Sequence, residues 1–281
     1  MSGVEAGATY KYKDLTFEGL SLSGIRTAIS MPTLDLCFDV AQGFPYVLNM
    51  KKFFISHGHL DHSAGIPYII SQKAMRHEAH PIFYMPTSMI EPMTEIMKLW
   101  SQIEGYQMTH DFRAVDHGHA IDLNPQMFMK PFKTLHRIES FGYTLFSRNR
   151  KLKLDYQNLP GDQIRDLRAQ GETVHELLET PLVSFTGDTQ SEFLDSAPWV
   201  RKSKVLLCEA TYLDENKSVE HARTWGHTHL DELIPELDKI ESEKIVLIHA
   251  SSRYSDKEVQ KILDRKIPPQ HRHRVELFPG R

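Results

Sequence analysis

Cysteine is nearly missing from this chain: Cys37 and Cys208 are the two among 281 residues. Both lie in apolar runs, Leu34-Asp35-Leu36-Cys37-Phe38 and Val205-Leu206-Leu207-Cys208. That leaves no disulfide framework and predicts buried thiols on strands, as in a reducing compartment. Long hydrophobic runs are missing too. No window approaches the roughly 18–20 apolar residues of a membrane span, and residues 1–10 are small and polar, unlike a secretory leader. The expectation is a soluble, intracellular, cytoplasmic protein with no membrane partner. There is no surplus of positive charge: 33 Lys and Arg stand against 37 Asp and Glu, a net charge of −4. A bulk nucleic-acid binder is thereby excluded, and any such partner must be held by a local basic patch. Internal repeats and low-complexity segments are also absent. What remains is 40% hydrophobic and 25% charged, enough apolar material for a sizeable core.

The densest chemistry is Ser56-His57-Gly58-His59-Leu60-Asp61-His62. It follows an apolar run over 51–55 that reads as a buried strand. It precedes Ala64-Gly65-Ile66-Pro67, a helix start in which the proline is tolerated. The cluster therefore lies on a loop at the carboxyl end of a strand, where α/β proteins place ligands. In an extended loop His57 and His59 point the same way and can grip one metal, while Asp61 and His62 can turn toward a second. Imidazole and carboxylate suit Zn²⁺, and Mn²⁺ or Fe also fit.

The spacing predicts a strand over 34–39, ending in Asp39-Val40-Ala41, a helix over 66–77 and a strand over 81–85. It also predicts a helix over 88–104, capped by Ser88 with Pro92 in its first turn. Met93, Ile96, Met97, Trp100 and Ile103 line one face of that helix, as core or as subunit contact. Strands follow at 128–132 and 141–146. His136, between them, is either an ordinary packed residue or a further ligand. Residues 147–180 lose apolar content and gain Arg148, Arg150, Lys151, Lys153, Arg165 and Arg168. They read as a solvated helical excursion or a phosphate-binding arm. The second half returns to strand–loop–helix order. Strands at 181–186, 204–208 and 244–248 deliver Asp188, Glu209 and His249 at their carboxyl ends, a succession that looks like a constructed site. His227 precedes a helix that Pro235 should kink or divide, so its imidazole can face a pocket, and His229 is expected to face solvent. A last strand covers 275–278. His271 and His273 are read as solvated and stay outside the ligand set, which comprises His57, His59, Asp61, His62, His136, Asp188 and His249.

Assembled, these motifs resemble the metallo-β-lactamase superfamily, an α/β fold in the form of a four-layer αββα sandwich. They resemble most the short ribonuclease Z family of plant type. The resemblance is carried by His57-Gly58-His59-Leu60-Asp61-His62, by His136 with Phe141-Gly142-Tyr143, and by Phe185-Thr186-Gly187-Asp188-Thr189. Glu209-Ala210-Thr211 with Gly226-His227, and His249-Ala250-Ser251-Ser252-Arg253-Tyr254, add to it. It departs from the family at Asp39-Val40-Ala41, where a glycine is usual in place of Ala41, and at Cys208, where many members have histidine. The resemblance implies one domain over 1–281 with a tRNA-clamping arm at about 147–180, two Zn²⁺ per chain, and a homodimer. His57, His59 and His136 would hold one zinc, Asp61, His62 and His249 the other, with Asp188 bridging. Asp61 would orient the attacking water, and His227, polarised by Glu209, would protonate the leaving ribose oxygen. Ser251, Arg253, Lys151 and Lys153 would contact substrate, a precursor tRNA losing its 3′ trailer. The rival expectations are a small-molecule or cyclic-nucleotide phosphodiesterase on the same site, and a non-catalytic RNA-binding protein.

Overall fold

A computed structural model gives the structure of the protein over residues 6–280. The strands are β1 Ala8–Tyr12, β2 Leu15–Leu22, β3 Arg26–Met31, β4 Leu36–Phe38, β5 Lys52–Phe54, β6 Ile82–Met85 and β7 Asp111–Ala114 in the first half. The second half carries β8 Ile121–Asn124, β9 Met127–Lys133, β10 Phe141–Leu152, β11 His175–Phe185, β12 Val205–Glu209, β13 Lys244–Ile248 and β14 Val275–Leu277. Each half forms one seven-stranded sheet in sequential order, β1 to β7 and β8 to β14. In both sheets the leading strands pair antiparallel and the later ones parallel. One topology is thus used twice although the sequence shows no repeat.

Alternation along the long strands builds the centre. β2 turns Leu15 and Phe17 into the inter-sheet core and Leu20 into the core on its other face, as the alternation of side chains along a strand requires. The inter-sheet core joins Phe17, Phe38 and Phe54 of the first half to Tyr143, Phe185 and Ile248 of the second. Phe38 and Phe185 stack with centroids 5.0 Å apart. Two further cores lie under the helices. Phe53, Ile69 and Met97 belong to the first, and Leu206, Leu237 and Leu263 to the second. Helix, sheet, sheet and helix make the four layers expected of the αββα sandwich. Cys37 and Cys208 are buried free thiols on β4 and β12, and burial pushes both up from the ordinary thiol range.

Several local expectations are corrected. The helix expected at 88–104 is Thr87–Glu104, flanked by Pro86, and Ser88 does not cap it. Its backbone N–H is taken by the Glu139 carboxylate at 2.9 Å, and Pro92 lies within the helix rather than in its first turn. The apolar stripe splits into two ridges. Met89, Met93 and Met97 are buried, whereas Ile96, Leu99, Trp100 and Ile103 are exposed, because only one ridge of a helix can face the sheet. Residues 147–180 are mostly not helical. After a register shift between Leu145 and Phe146, β10 and β11 stay paired outward to Leu152 and His175, and the helix at their tip is the short Gly161–Ala169. Pro235 divides its helix as expected, into Leu230–Leu233 and a 3₁₀ stretch at Ile234–Lys239. His271 is not freely solvated, since its Nε2 meets Asp238 at 2.7 Å. Among the described residues no helix is long and apolar enough to cross a membrane.

Candidate metal centre

The carboxyl ends of the parallel strands converge on one edge of the sandwich. β4 delivers Asp39, β5 leads into Ser56 to His62, β11 leads to Asp188, β12 ends on Glu209 and β13 leads to His249. Such ends gather ligands because neighbouring parallel strands all finish at the same side of the sheet.

Three overlapping groups of ligating atoms form there, one of them Asp188, His227 and His249. His57, His59, His136 and Asp188 bring theirs within 4.8 Å of one another, and so do Asp61, His62 and His249. His59 Nδ1 stands 3.0 Å from His57 Nε2 and 3.3 Å from His136 Nε2. His249 Nε2 stands 3.4 Å from both His62 Nε2 and Asp61 Oδ2. Asp188 lies between the groups, with Oδ1 3.3 Å from His62 Nε2 and Oδ2 3.4 Å from His249 Nε2 and 3.8 Å from His57 Nε2. The seven expected ligands are all brought together.

The far nitrogen of four of these rings is anchored. His57 Nδ1 donates to Ser56 Oγ at 2.9 Å, and that hydroxyl donates to Asp39 Oδ2 at 2.8 Å. His62 Nδ1 donates to the same Asp39 oxygen at 2.7 Å. His136 Nδ1 donates to the Gly226 carbonyl at 2.8 Å. His249 Nδ1 donates to Thr211 Oγ1 at 3.0 Å, and the Thr211 hydroxyl in turn donates to Glu209. This fixes the tautomers and turns each Nε2 lone pair toward the centre, the outer-shell order that metal-binding histidines show. Asp39, Ser56 and Thr211 were missed as site residues. The signal for Asp39 was available, since it closes a strand as Asp188 and Glu209 do.

Backbone conformation serves the same end. Gly187 has φ +59°, and a Cβ there would lie 2.5 Å from that of Ser56. Gly226 has φ +76°, and a Cβ would meet His136 Nδ1 at 2.7 Å. Neither position admits another residue without moving a ligand's anchor. Asp39, Ala41 and His249 hold positive φ without being glycine, a conformation that costs about 1–2 kcal/mol each and gathers at functional sites. Ala41 takes the left-handed turn at the position where the family resemblance expects glycine.

The electrostatics favour cations. Burial holds the His57, His59 and His136 imidazoles below their ordinary pKa, so they are neutral ligands. Burial pushes Asp188 upward, but His249 and His62 overcome it and keep it ionised. Burial likewise lowers His62, and the Asp188 and Asp39 carboxylates reverse that shift. Asp188 Oδ1 is buried and makes no hydrogen bond. A buried carboxylate oxygen that makes no hydrogen bond, set among imidazole nitrogens, is a donor set that fits metal ions.

Next to this set, His227 Nδ1 stands 3.3 Å from Glu209 Oε1 and 3.9 Å from Asp188 Oδ2. The first is an ion-pair distance rather than an aligned hydrogen bond. Glu209 is fully buried and accepts from the backbone N–H of Thr211 at 2.9 Å and of Thr228 at 2.7 Å. Burial lowers the His227 pKa, and Glu209 and Asp188 raise it, to about 9. His229, expected in solvent, is buried. It caps the helix Leu230–Leu233 and meets the Asp214 carbonyl at 3.0 Å, because its backbone enters the helix two residues after the turn that presents His227.

Of the residues expected to contact substrate, Arg253 is exposed near the centre. Ser251 is nine-tenths buried, its hydroxyl accepting from the Arg253 N–H at 3.4 Å. Lys151 and Lys153 are not part of the cluster. Lys151 lies ten residues along from Phe141, whose N–H meets the Ser56 carbonyl, about 33 Å at strand rise.

The Beta-lactamase superfamily domain matches residues 47–250 of the chain. Arabidopsis thaliana tRNase Z TRZ1 is 34% identical over 254 residues, covering 90% of this chain and 91% of its own. The chain belongs to the tRNase Z family. Named members of that family are tRNA 3′-processing endoribonucleases. The chloroplastic tRNase Z TRZ2 of the same plant is 32% identical and covers 86% of this chain and 69% of its own. Among solved structures, human short-form tRNase Z superposes with a TM-score of 0.59 at 17% identity, covering 94% and 95% of the two chains. YhfI of Bacillus subtilis, a metallo-beta-lactamase fold protein, gives 0.61 at 14%, covering 92% and 93%. These two likenesses speak for the fold, which is the metallo-β-lactamase fold, and the His/Asp cluster is its metal-binding site.

Proposed function

We propose that the chain removes the 3′ trailer of precursor tRNA by hydrolysing one phosphodiester at a centre of two zinc ions. The observation that carries this reading is the His227–Glu209 pair standing beside the Asp188 carboxylate and the clustered His and Asp side chains. Bound metal supplies Lewis acidity and an ionised water. His57, His59 and His136 would hold one ion, Asp61, His62 and His249 the other, and Asp188 both.

The chain's own groups do the rest. Asp61, at the more open side of the second group, orients the attacking water. Glu209 keeps His227 charged and turns its Nδ1 inward, leaving Nε2 to hand a proton to the departing ribose oxygen. Arg253 takes a phosphate near the cut. Arg150, Lys151 and Lys153 lie on or beside the outer strands, where they meet the tRNA body through phosphates and shape rather than bases. Residues 147–180 are thus the clamping arm of a single domain, and its distance from the centre suits a substrate shared across a homodimer.

The test is His227→Ala. Precursor tRNA cleavage should fall by about 10²-fold or more while both metals stay bound. Unchanged turnover in that variant removes the assignment. Mapping the cut on the intact protein's product decides the substrate.

A further inference from the structure

The turn that presents His227 has almost no core of its own. It leaves the short helix Val219–Thr224, in which Ala222 is the single buried residue. The Trp225 ring that follows is exposed. A helix of this length does not hold itself, and one buried methyl group anchors little. The imidazole beside Asp188 therefore needs another restraint.

Arg223 supplies it. Its Nε donates to Glu232 Oε1 at 2.6 Å and its Nη1 to Glu192 Oε1 at 2.8 Å. Its Nη2 stands 2.6 Å from the same Glu232 oxygen. Its carbonyl accepts from the Gly226 N–H and from the Gln190 side-chain amide, both at 3.0 Å. Gln190 and Glu192 belong to the segment that follows Asp188. Glu232 belongs to the helix that follows His229, where its other oxygen accepts from the His229 N–H at 3.2 Å. One guanidinium thus ties the chain before His227 to the chain after it and to the chain leading away from the Asp188 carboxylate.

Exposed ion pairs usually contribute little. This one differs, because the Glu232 side chain is 9% exposed and the planar fork reaches two carboxylates at once, which an ammonium does not do. The restraint also reaches the acid through the backbone. The His227 N–H donates to the carbonyl of Ala222, next to Arg223, at 3.0 Å.

We propose that Arg223 is a positioning residue: by clamping Glu192 and Glu232 it fixes the turn over 224–228, and with it the place of the His227 imidazole. That this imidazole gives up a proton rests on the nuclease reading above. That Arg223 holds it in place rests on the contacts themselves.

The experiment compares the intact protein with Arg223→Met and Glu192→Gln. The amides of Trp225, Gly226 and His227 should exchange hydrogen about tenfold faster or more in Arg223→Met. The kcat for precursor tRNA should fall about tenfold or more with KM within about twofold, since a misplacement of about 1 Å can cost 10²-fold. Bis(p-nitrophenyl) phosphate releases p-nitrophenolate, which leaves without a proton, so its hydrolysis should hold within about twofold, and so should metal content. Added to His227→Ala, Arg223→Met should cost less than about twofold more, because both remove one function. Glu192→Gln keeps the Glu232 tie and should show the same pattern at about threefold; it decides the matter if Arg223→Met does not fold. Unchanged exchange overturns the assignment. So does a kcat for precursor tRNA that stays put, a parallel loss of ester hydrolysis or metal, or full additivity with His227→Ala. An intact protein that never cuts precursor tRNA sinks the nuclease reading instead, and the exchange rates then decide the role of Arg223 by themselves.

Discussion

Asp39 touches no ligating nitrogen yet steadies both halves of the centre, directly through His62 and by way of Ser56 to His57. Its replacement by asparagine puts an amide where two donors need a carboxylate. Asp39→Asn should weaken metal binding by about 10–100-fold, measured by competition with a chelator, while the fold persists. Full affinity in that variant would confine Asp39 to a packing role. The charge on His227 has an equally local cause. Burial alone would lower its pKa, and the Glu209 carboxylate lifts it to about 9. An acid works only while protonated, so cleavage should hold below that value and fall as pH rises through it. In Glu209→Gln the lifting charge is gone and burial stays, so the falling limb of kcat/KM should move down by about 1–3 pH units. A limb that does not move would disconnect the pair from the proton transfer.

At the scale of elements, β10 and β11 have two lives. Their inner ends are buried in the inter-sheet core, and their outer ends run exposed to the tip. Arg148 is tied to Asp122 and to Glu179, the latter at 3.2 Å. Arg150, Lys151 and Lys153 make no ion pair among the described residues, so past Arg148 the cations of this stretch are not tied to acids. Because the outer part adds little core, its removal should leave the centre standing. A protein lacking residues 150–178 should lose precursor tRNA cleavage by about 10²-fold or more in kcat/KM, since several phosphate contacts go at once, yet keep hydrolysis of bis(p-nitrophenyl) phosphate. Retained tRNA cleavage would show that the excursion is not an arm for RNA.

For the whole molecule, the two halves share the burden of one site. The first supplies His57, His59, Asp61 and His62, and the second His136, Asp188 and His249. The inter-sheet core sets their separation, so neither half makes the centre alone. The outer face of the first half is apolar where it need not be. Tyr68 and Met75 on the helix Ile66–Met75, with Ile96, Leu99, Trp100 and Ile103 on Thr87–Glu104, are exposed. The Ser71 hydroxyl donates to Glu104 Oε2 at 3.0 Å, so the two helices lie side by side. Contiguous apolar patches of this kind mark interfaces, and the proposed homodimer fits there. Trp100→Glu should convert the dimer to a monomer by light scattering, since a buried charge at an interface core costs several kcal/mol. An intact dimer in that variant would place the interface elsewhere.

The sequence by itself determined the inventory. Apolar runs of strand length ending in Asp39, Asp188, Glu209 and His249, and a loop with His57, His59, Asp61 and His62, could be read directly, because a strand's local pattern and its terminal residue are contiguous in the chain. Tertiary structure decided what long-range packing decides. It chose the ridge of Thr87–Glu104 that faces the core, turned 147–180 into paired strands rather than helix, and buried His229 as a cap. It also joined Asp39 to His62 and Thr211 to Glu209 and His249, contacts between residues far apart in sequence. A pattern of neighbours can show which groups a chain carries to a sheet edge. Only the sheet, by setting those edges side by side, shows which nitrogen donates, which lone pair is left bare, and what lies behind the acid.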